Sequence, residues 1–379
     1  MQKPITRRSF LGLTCGITLA PLVPAWALAS GRDDIVMPSA KKSLYDAAFV
    51  LDANSLGGMG DPENYAPDVA KSLRLIRESG VSVLKSSLGY DSYDFEATVK
   101  EIADAQALIE TYPETFLQVK RPDDMLRAKR EGKLGVIFSF EAVTMLEDKI
   151  ERIDLFRNFD VLVMQLTYNR KSPFGYGCLE GDTGGVTALG AKAIARMNER
   201  GITLDLSHSN AQTTADGIAL SKKPCVVTHA GCRAVFDHPR NKRDKEMKAL
   251  AEKGGVMGIY MLPFLTPDNR QPMLADYMAH MTHALDVCGE DHVGIGTDLG
   301  FFPETDDDIK RHLAEEERRR KLGIGATGEN RPLYIPDANS TRKLEIVANA
   351  LQKKGYGART VEKVLGLNFR RVFTETWTV

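Results

Sequence analysis

Leu134-Gly135-Val136-Ile137-Phe138-Ser139-Phe140-Glu141 is a short apolar run that ends on a carboxylate. Its branched and aromatic residues suit a buried strand, and its length is too short for a helix. Two more segments have the same form. Gly201–His208 (GITLDLSH) and Pro224–His229 (PCVVTH) are apolar runs that each close on a histidine. Chemistry-bearing residues that recur at strand ends are the pattern of a (β/α)₈ barrel, whose active site is built at the C-terminal ends of its strands.

The same alternation runs along the chain. Candidate strands are Phe49–Asp52, Val81–Lys85, Gly135–Phe140, Val161–Leu166, Ile202–Leu206, Cys225–Thr228, Val256–Tyr260 and Val293–Gly296, eight in all. Amphipathic segments such as Ala66–Ser79, Asp94–Tyr112, Leu189–Arg200 and Met273–Cys288 lie between them. Strand–helix alternation implies βαβ units and a parallel sheet. The fold expected is α/β, a (β/α)₈ TIM-type barrel with insertions at its C-terminal face. A doubly wound open sheet is the alternative, but no strand is followed by a GxGxxG phosphate loop.

Two stretches interrupt the repeat. Lys171–Asp182 is a glycine-rich loop after the fourth candidate strand, and Phe301–Thr341 follows the eighth. The latter contains a charged helix, Asp306–Lys321, whose run Glu315-Glu316-Glu317-Arg318-Arg319-Arg320 reads as a solvated face. Both insertions leave from the C-terminal face and are placed to act as lids.

Composition is that of an ordinary globular protein. The chain has 379 residues, 43% hydrophobic and 27% charged, with a formal net charge of −1. No basic excess points to nucleic acid, and nothing beyond the N-terminal segment reads as a membrane span. That segment contains Thr6-Arg7-Arg8-Ser9-Phe10-Leu11, a twin-arginine pattern. An apolar stretch to Leu28 follows, broken at Pro21 and Pro24, and Ala27-Leu28-Ala29 has the small-x-small form of a cleavage site. Residues 1–29 are therefore expected to be a Tat-type signal read by the Tat export machinery, and residues 30–379 a single metal-dependent hydrolase domain delivered to the periplasm. Five cysteines occur. Cys15 lies in the signal. The other four, Cys178, Cys225, Cys232 and Cys288, are permitted a disulfide by the compartment and match no zinc-cysteine motif.

Glu141, His208 and His229, brought together from separate strands, make a divalent-metal site of the His₂Glu type. Asp298, at the end of His292-Val293-Gly294-Ile295-Gly296-Thr297-Asp298, adds a carboxylate that can bind metal or take a proton from water. The other histidines read as structural. His280 and His283 share a helix face without an acidic partner, and His238, His292 and His312 have surface-like neighbours.

With these elements in place, the chain resembles the membrane (renal-type) dipeptidase family of metallopeptidases, within the amidohydrolase superfamily. The matching segments are Leu166-Thr167-Tyr168-Asn169, Gly185–Gly190, Met197-Asn198, Asp205-Leu206-Ser207-His208, Thr228-His229-Ala230, Arg240-Asn241, Gly254–Tyr260, Gly296-Thr297-Asp298 and Leu365–Val372. They follow in family order along nearly the whole chain after the signal. The resemblance implies that Glu141 is the carboxylate that bridges two zinc ions and that His208 and His229 complete the second metal site. It places Asp298 beside the first metal, Arg240 on the substrate carboxylate and Tyr168 near the scissile bond, where many members have histidine.

Family members also carry a His-x-Asp pair on strand one. Here Val50-Leu51-Asp52-Ala53-Asn54-Ser55-Leu56 puts Asn54 and Leu56 at those two places. Leucine cannot ligate, and a neutral amide is a poor replacement for imidazole. One zinc per chain, on Glu141, His208 and His229, is the expectation, with iron, manganese or copper as alternative occupants.

The function expected is a periplasmic metal-dependent dipeptidase-like hydrolase that cleaves a small dipeptide or related amide. The alternative is a homologue that no longer hydrolyses and instead binds or helps mature an exported peptide or siderophore precursor. Other single-metal chemistry, such as a lyase or deaminase reaction, is not separated from hydrolysis by sequence. The oligomeric state is open, a homodimer included.

Overall fold

In a computed structural model of the chain, the described residues are 43–55, 68–89, 94–267, 270–321 and 331–378. All belong to one compact unit, Lys42–Val379. The expected signal, residues 1–29, and Leu56 lie outside the described residues.

Strands and helices alternate. In chain order the elements are α1 (Leu44–Ala47), β1 (Leu51–Ser55), α2 (Val69–Glu78), β2 (Val83–Ser87), α3 (Phe95–Thr111), β3 (Phe116–Gln118), α4 (Pro122–Glu131), β4 (Leu134–Phe140), α5 (Arg152–Asn158) and β5 (Val161–Gln165). Then follow α6 (Ala188–Arg200), β6 (Thr203–Asp205), α7 (Ala211–Leu220), β7 (Val226–Ala230), α8 (Asp244–Glu252), β8 (Val256–Ile259), α9 (Leu274–Cys288) and β9 (Val293–Ile295). The helices α10 (Asp306–Lys321), α11 (Lys343–Lys353), α12 (Ala358–Glu362) and α13 (Asn368–Trp377) complete the order. Several helix starts follow local chemistry. The side chains of Asp68, Asp94, Thr187 and Asn210 each accept from a backbone N–H in the first turn of α2, α3, α6 and α7. The left-handed Gly132 and Gly201 end α4 and α6.

Eight strands pair in parallel in the order β1-β2-β4-β5-β6-β7-β8-β9, a nearly closed barrel wrapped by helices. The ninth, β3, pairs only with β4, off the barrel path. It was not among the expected strands, because three residues carry no readable periodicity. The barrel closes between β1 and β9 through a bridge from Ser55 to Leu299 and a hydrogen bond from Asp298 N to Asn54 O of 2.8 Å. The Asp52 carboxylate reinforces this seam by accepting from Thr297 N at 2.8 Å and Thr297 Oγ1 at 2.6 Å.

Alternation along the strands sorts side chains between two apolar regions. Val50, Leu84, Val136, Phe138, Val227 and Met257 pack outward under the helices. Leu51, Val83, Ile137, Val163, Val226 and Val256 pack together inside the barrel with the C-terminal helix. Helix α13 contributes Phe369, Val372, Phe373 and Trp377 to this inner cluster. The Trp377 indole donates to Leu162 O at 3.1 Å and to Thr203 Oγ1 at 3.0 Å. The helix therefore plugs the N-terminal end of the barrel and leaves the C-terminal end for polar residues. Among the described residues no helix is long and apolar enough to cross a membrane.

Cys178, Cys225, Cys232 and Cys288 are all buried thiols, none of them in a disulfide. His238 is not at the surface as expected. It is buried and stacks on Phe264 with ring centroids 4.6 Å apart.

Trp377→Ala removes both the indole hydrogen bonds and the stacking on Phe373. It is expected to cost about 3–5 kcal/mol, the usual range for deleting a buried tryptophan. A urea unfolding midpoint that stays at the wild-type value would show that α13 is not the plug.

Candidate metal centre

The polar mouth of the barrel brings the chosen residues together. Ligand atoms of Glu141, His208 and His229 all lie within 4.8 Å of one another, and all three residues are buried. Glu141 follows the end of β4, His208 follows β6 and His229 lies in β7. Asp298 follows β9, with its Oδ2 3.9 Å from His229 Nε2. Its backbone φ of 57° is left-handed, a conformation that aspartate tolerates better than most residues.

Hydrogen bonds set both imidazole tautomers. His208 Nδ1 donates to the side-chain Oδ1 of Asn169 at 2.8 Å. His229 Nδ1 faces Thr228 Oγ1 at 2.9 Å, and that hydroxyl donates its one proton to Asp205 Oδ2 at 2.5 Å. His229 Nδ1 must then be the donor. Each ring is left with a lone pair on Nε2, and the two Nε2 atoms are 3.0 Å apart. Burial first, then the Arg240 guanidinium, pulls both imidazoles well below the usual histidine range, so both are neutral. Two neutral imidazoles that converge through Nε2 beside a carboxylate, each held by a partner on Nδ1, fit a divalent cation.

Asp205 organises this region. Its carboxylate accepts from Ser207 N, Ser207 Oγ, Thr228 N and Thr228 Oγ1. The Ser207 hydroxyl in turn accepts from His229 N at 3.1 Å. The Asp205–His208 and Thr228–His229 segments are thereby locked as one unit. Gly296 has a packing reason as well, since a Cβ there would meet Thr228 O at 2.0 Å.

Arg240 is buried, donating from Nη1 to Ser207 O at 2.7 Å and from Nη2 to His208 Nε2 at 3.1 Å. Tyr168 stacks on the His208 ring at a centroid distance of 4.3 Å. Both insertions reach the site. Cys178 N donates to His208 O at 2.8 Å, and Arg319 of α10 donates to the Tyr168 hydroxyl at 3.3 Å. The charge run of α10 is thus not one solvated face. Its Glu315–Arg318 and Glu317–Arg320 pairs are exposed, while Glu316 and Arg319 turn inward as a pair at 3.4 Å.

Asn54 joins the two carboxylates. Its Nδ2 donates to Glu141 Oε1 at 2.9 Å and to Asp298 Oδ1 at 2.7 Å. Burial and then the Glu141 carboxylate push Asp298 up to about 7, against the pull of Arg240, Asn54 and Lys85. Lys85, Asn169 and the Asp205–Thr228 pair were given no role by the sequence. Lys85 had a signal, a lysine two residues beyond inward-facing Val83 in an apolar strand. Asn169 had none, because its role exists only once His208 folds against it.

A profile described as membrane dipeptidase (peptidase family M19) matches residues 80–314. An uncharacterized dipeptidase of Schizosaccharomyces pombe is 26% identical over 299 residues, covering 76% of this chain and 65% of that protein. Dipeptidase verJ of Clonostachys rogersoniana is 24% identical over 280 residues, covering 73% and 64%. The chain thus spans slightly less than two thirds of these relatives' length. Among solved structures, an amidohydrolase from Pseudomonas aeruginosa superposes with a TM-score of 0.76 at 27% identity, covering 88% of this chain and 98% of that one. A metallopeptidase of Rhodobacter sphaeroides, liganded with a phosphinate mimic of the dipeptide L-Ala-D-Ala, superposes with a TM-score of 0.67 at 19% identity, covering 87% and 99%. Since the profile match spans more than half of its length, the chain belongs to the membrane dipeptidase family, peptidase family M19.

Proposed function

We propose that this protein is a zinc-dependent hydrolase that cleaves a small dipeptide or related amide, works with one metal and is exported to the periplasm. The observation that carries the proposal is the convergence of Glu141, His208 and His229 with both imidazole Nδ1 atoms engaged, beside Asp298 and Arg240. Zinc bound by these three residues would polarise the scissile carbonyl and acidify water.

The chain's own residues supply the rest. Asp298 Oδ1 is held by Asn54, which leaves Oδ2 turned toward the imidazoles. From there it takes a proton from the attacking water and returns it to the leaving amine. Arg240 recognises a substrate carboxylate with the planar fork suited to that group. Its Nη1 stays on Ser207 O, and Nη2 turns from His208 Nε2 to the substrate. Tyr168, pressed on His208 and tied to Arg319, forms the wall between the site and α10. Closure of that wall excludes water from the cleavage step.

Elemental analysis of zinc-loaded protein is expected to give one zinc per chain, lost in His208→Ala and His229→Ala. Asp298→Asn is expected to retain the zinc while kcat falls roughly 10²–10⁴-fold, the usual contribution of a general base. L-Ala-D-Ala and other free dipeptides are the first substrates to assay. A fully zinc-loaded protein inactive on a broad panel of dipeptides and N-acyl amino acids would favour the accessory role, binding an exported peptide or siderophore precursor.

Arg240→Ala should abolish the preference for a free C-terminal carboxylate over the corresponding C-terminal amide, read as the ratio of kcat/KM values. An unchanged ratio would assign carboxylate recognition elsewhere. Export is supported by Arg7 and Arg8 in their apolar context. Replacing both with lysine should leave the precursor in the cytoplasm, as followed by fractionation, and normal export of that variant would exclude the twin-arginine route.

A further inference from the structure

Between Glu141 and Asp298 lies a spot where two buried carboxylates face each other. The family resemblance implies a metal at this spot, with its remaining ligands on strand one. The residues present here do not fit that metal. Asn54 presents its amide NH₂, not a lone pair, and donates one hydrogen to each carboxylate, at 2.9 Å and 2.7 Å. Its Oδ1, the one atom able to ligate, lies 3.1 Å from Ser87 Oγ. The side chain is fully buried, and its main chain is tied to the same partner through Asp298 N. A cation could enter only after these bonds had broken and the amide had turned over.

Charge needs a second contributor, because an amide is neutral. Lys85 is fully buried in β2, with its Nζ 3.0 Å from Ser139 Oγ and 3.4 Å from Ser87 Oγ. Ser87 Oγ lies 2.9 Å from Glu141 Oε1, so one hydroxyl links the ammonium to the carboxylate. Burial lowers the Lys85 pKa, and the carboxylates of Asp205, Glu141, Asp298 and Asp52 oppose that fall. Among the described residues its hydrogen-bond partners are hydroxyl groups, which gives a buried lysine no evident packing use. Beneath a cluster of carboxylates it has an electrostatic one.

We propose that Asn54 and Lys85 replace the first metal with protein atoms. The Asn54 amide links Glu141 to Asp298 where a metal would bridge them, and the Lys85 ammonium supplies the compensating charge. The site thereby excludes a second cation and holds Asp298 in place. Asn54 is a positioning residue in this scheme. The inference rests on the assignment of Glu141, His208 and His229 as metal ligands, and it is independent of the substrate.

The test is zinc stoichiometry, from titration of metal-stripped full-length mature protein and elemental analysis. Wild type is expected to bind one equivalent. Asn54→Asp keeps the shape and turns the two donors into a third carboxylate, and is expected to bind two; Asn54→His, which restores the family's residue, is expected to do the same. In the double variant with Lys85→Met, the second equivalent should bind about tenfold more tightly, because a buried like charge has been removed. Two equivalents in wild type would overturn the inference and leave the metal assignment of the triad intact. None in wild type would overturn the triad assignment itself. One equivalent in both folded Asn54 variants would show that the amide is not what excludes the cation. An unchanged second affinity on loss of Lys85 would remove the lysine from the scheme. If neither Asn54 variant folds, the wild-type stoichiometry decides.

Discussion

The seam between β1 and β9 is where folding and chemistry share the same hydrogen bonds. Asp298 N donates to Asn54 O across the seam, and Asn54 Nδ2 donates back to the Asp298 carboxylate. Asp52, two residues earlier, holds Thr297 by both N–H and hydroxyl. Closing the barrel therefore places Asp298, and placing Asp298 requires the barrel to close. Any change that loosens one loosens the other, since a buried carboxylate left without donors is costly.

The interior is layered by polarity along the barrel axis. At one end Phe369, Phe373 and Trp377 of α13 meet Leu51, Val83 and Ile137. Higher on the same strand faces come Lys85, Ser139 and Glu141. Two residues along a strand, about 6.6 Å, separate a dry hydrocarbon layer from a layer of ions. The apolar plug makes the polar end chemically potent: it keeps water out from below, so that interactions around Glu141 and Asp298 act in a medium of low polarity. That environment explains why both imidazoles are held neutral and why Asp298 is pushed up to about 7.

Support around the two histidines is asymmetric in origin. His229 is fixed by its own neighbour Thr228, working through Asp205. His208 depends on Asn169, which comes from the loop after β5 and is also touched by Cys178 of the glycine-rich insertion. The insertions are thus part of the site as much as covers for it, since Tyr168 meets His208 below and Arg319 of α10 above.

Much of this was legible in the linear chain. Apolar runs ending in Glu141, His208 and His229 announce strand ends, because strand period and hydrophobic burial are local properties. Asp298 is also visible as a carboxylate at a strand end, and the family resemblance marks Asn54 as standing where a ligand is expected. What sequence could not show is how those groups are wired. That Thr228 dictates the tautomer of His229, that Asn169 dictates the tautomer of His208, and that Lys85 sits beneath the carboxylates all depend on which strands become neighbours. The charge run of α10 looked uniform because exposure is not a local property, and only docking against Tyr168 separates Glu316 and Arg319 from their solvated neighbours. Sequence alone determined the barrel and picked out the candidate ligands, through periodicity and side-chain chemistry. Tertiary structure alone decided that Asn54 is a bridge between two carboxylates, because a hydrogen bond is set by distances between atoms that lie 87 and 244 residues apart in the chain.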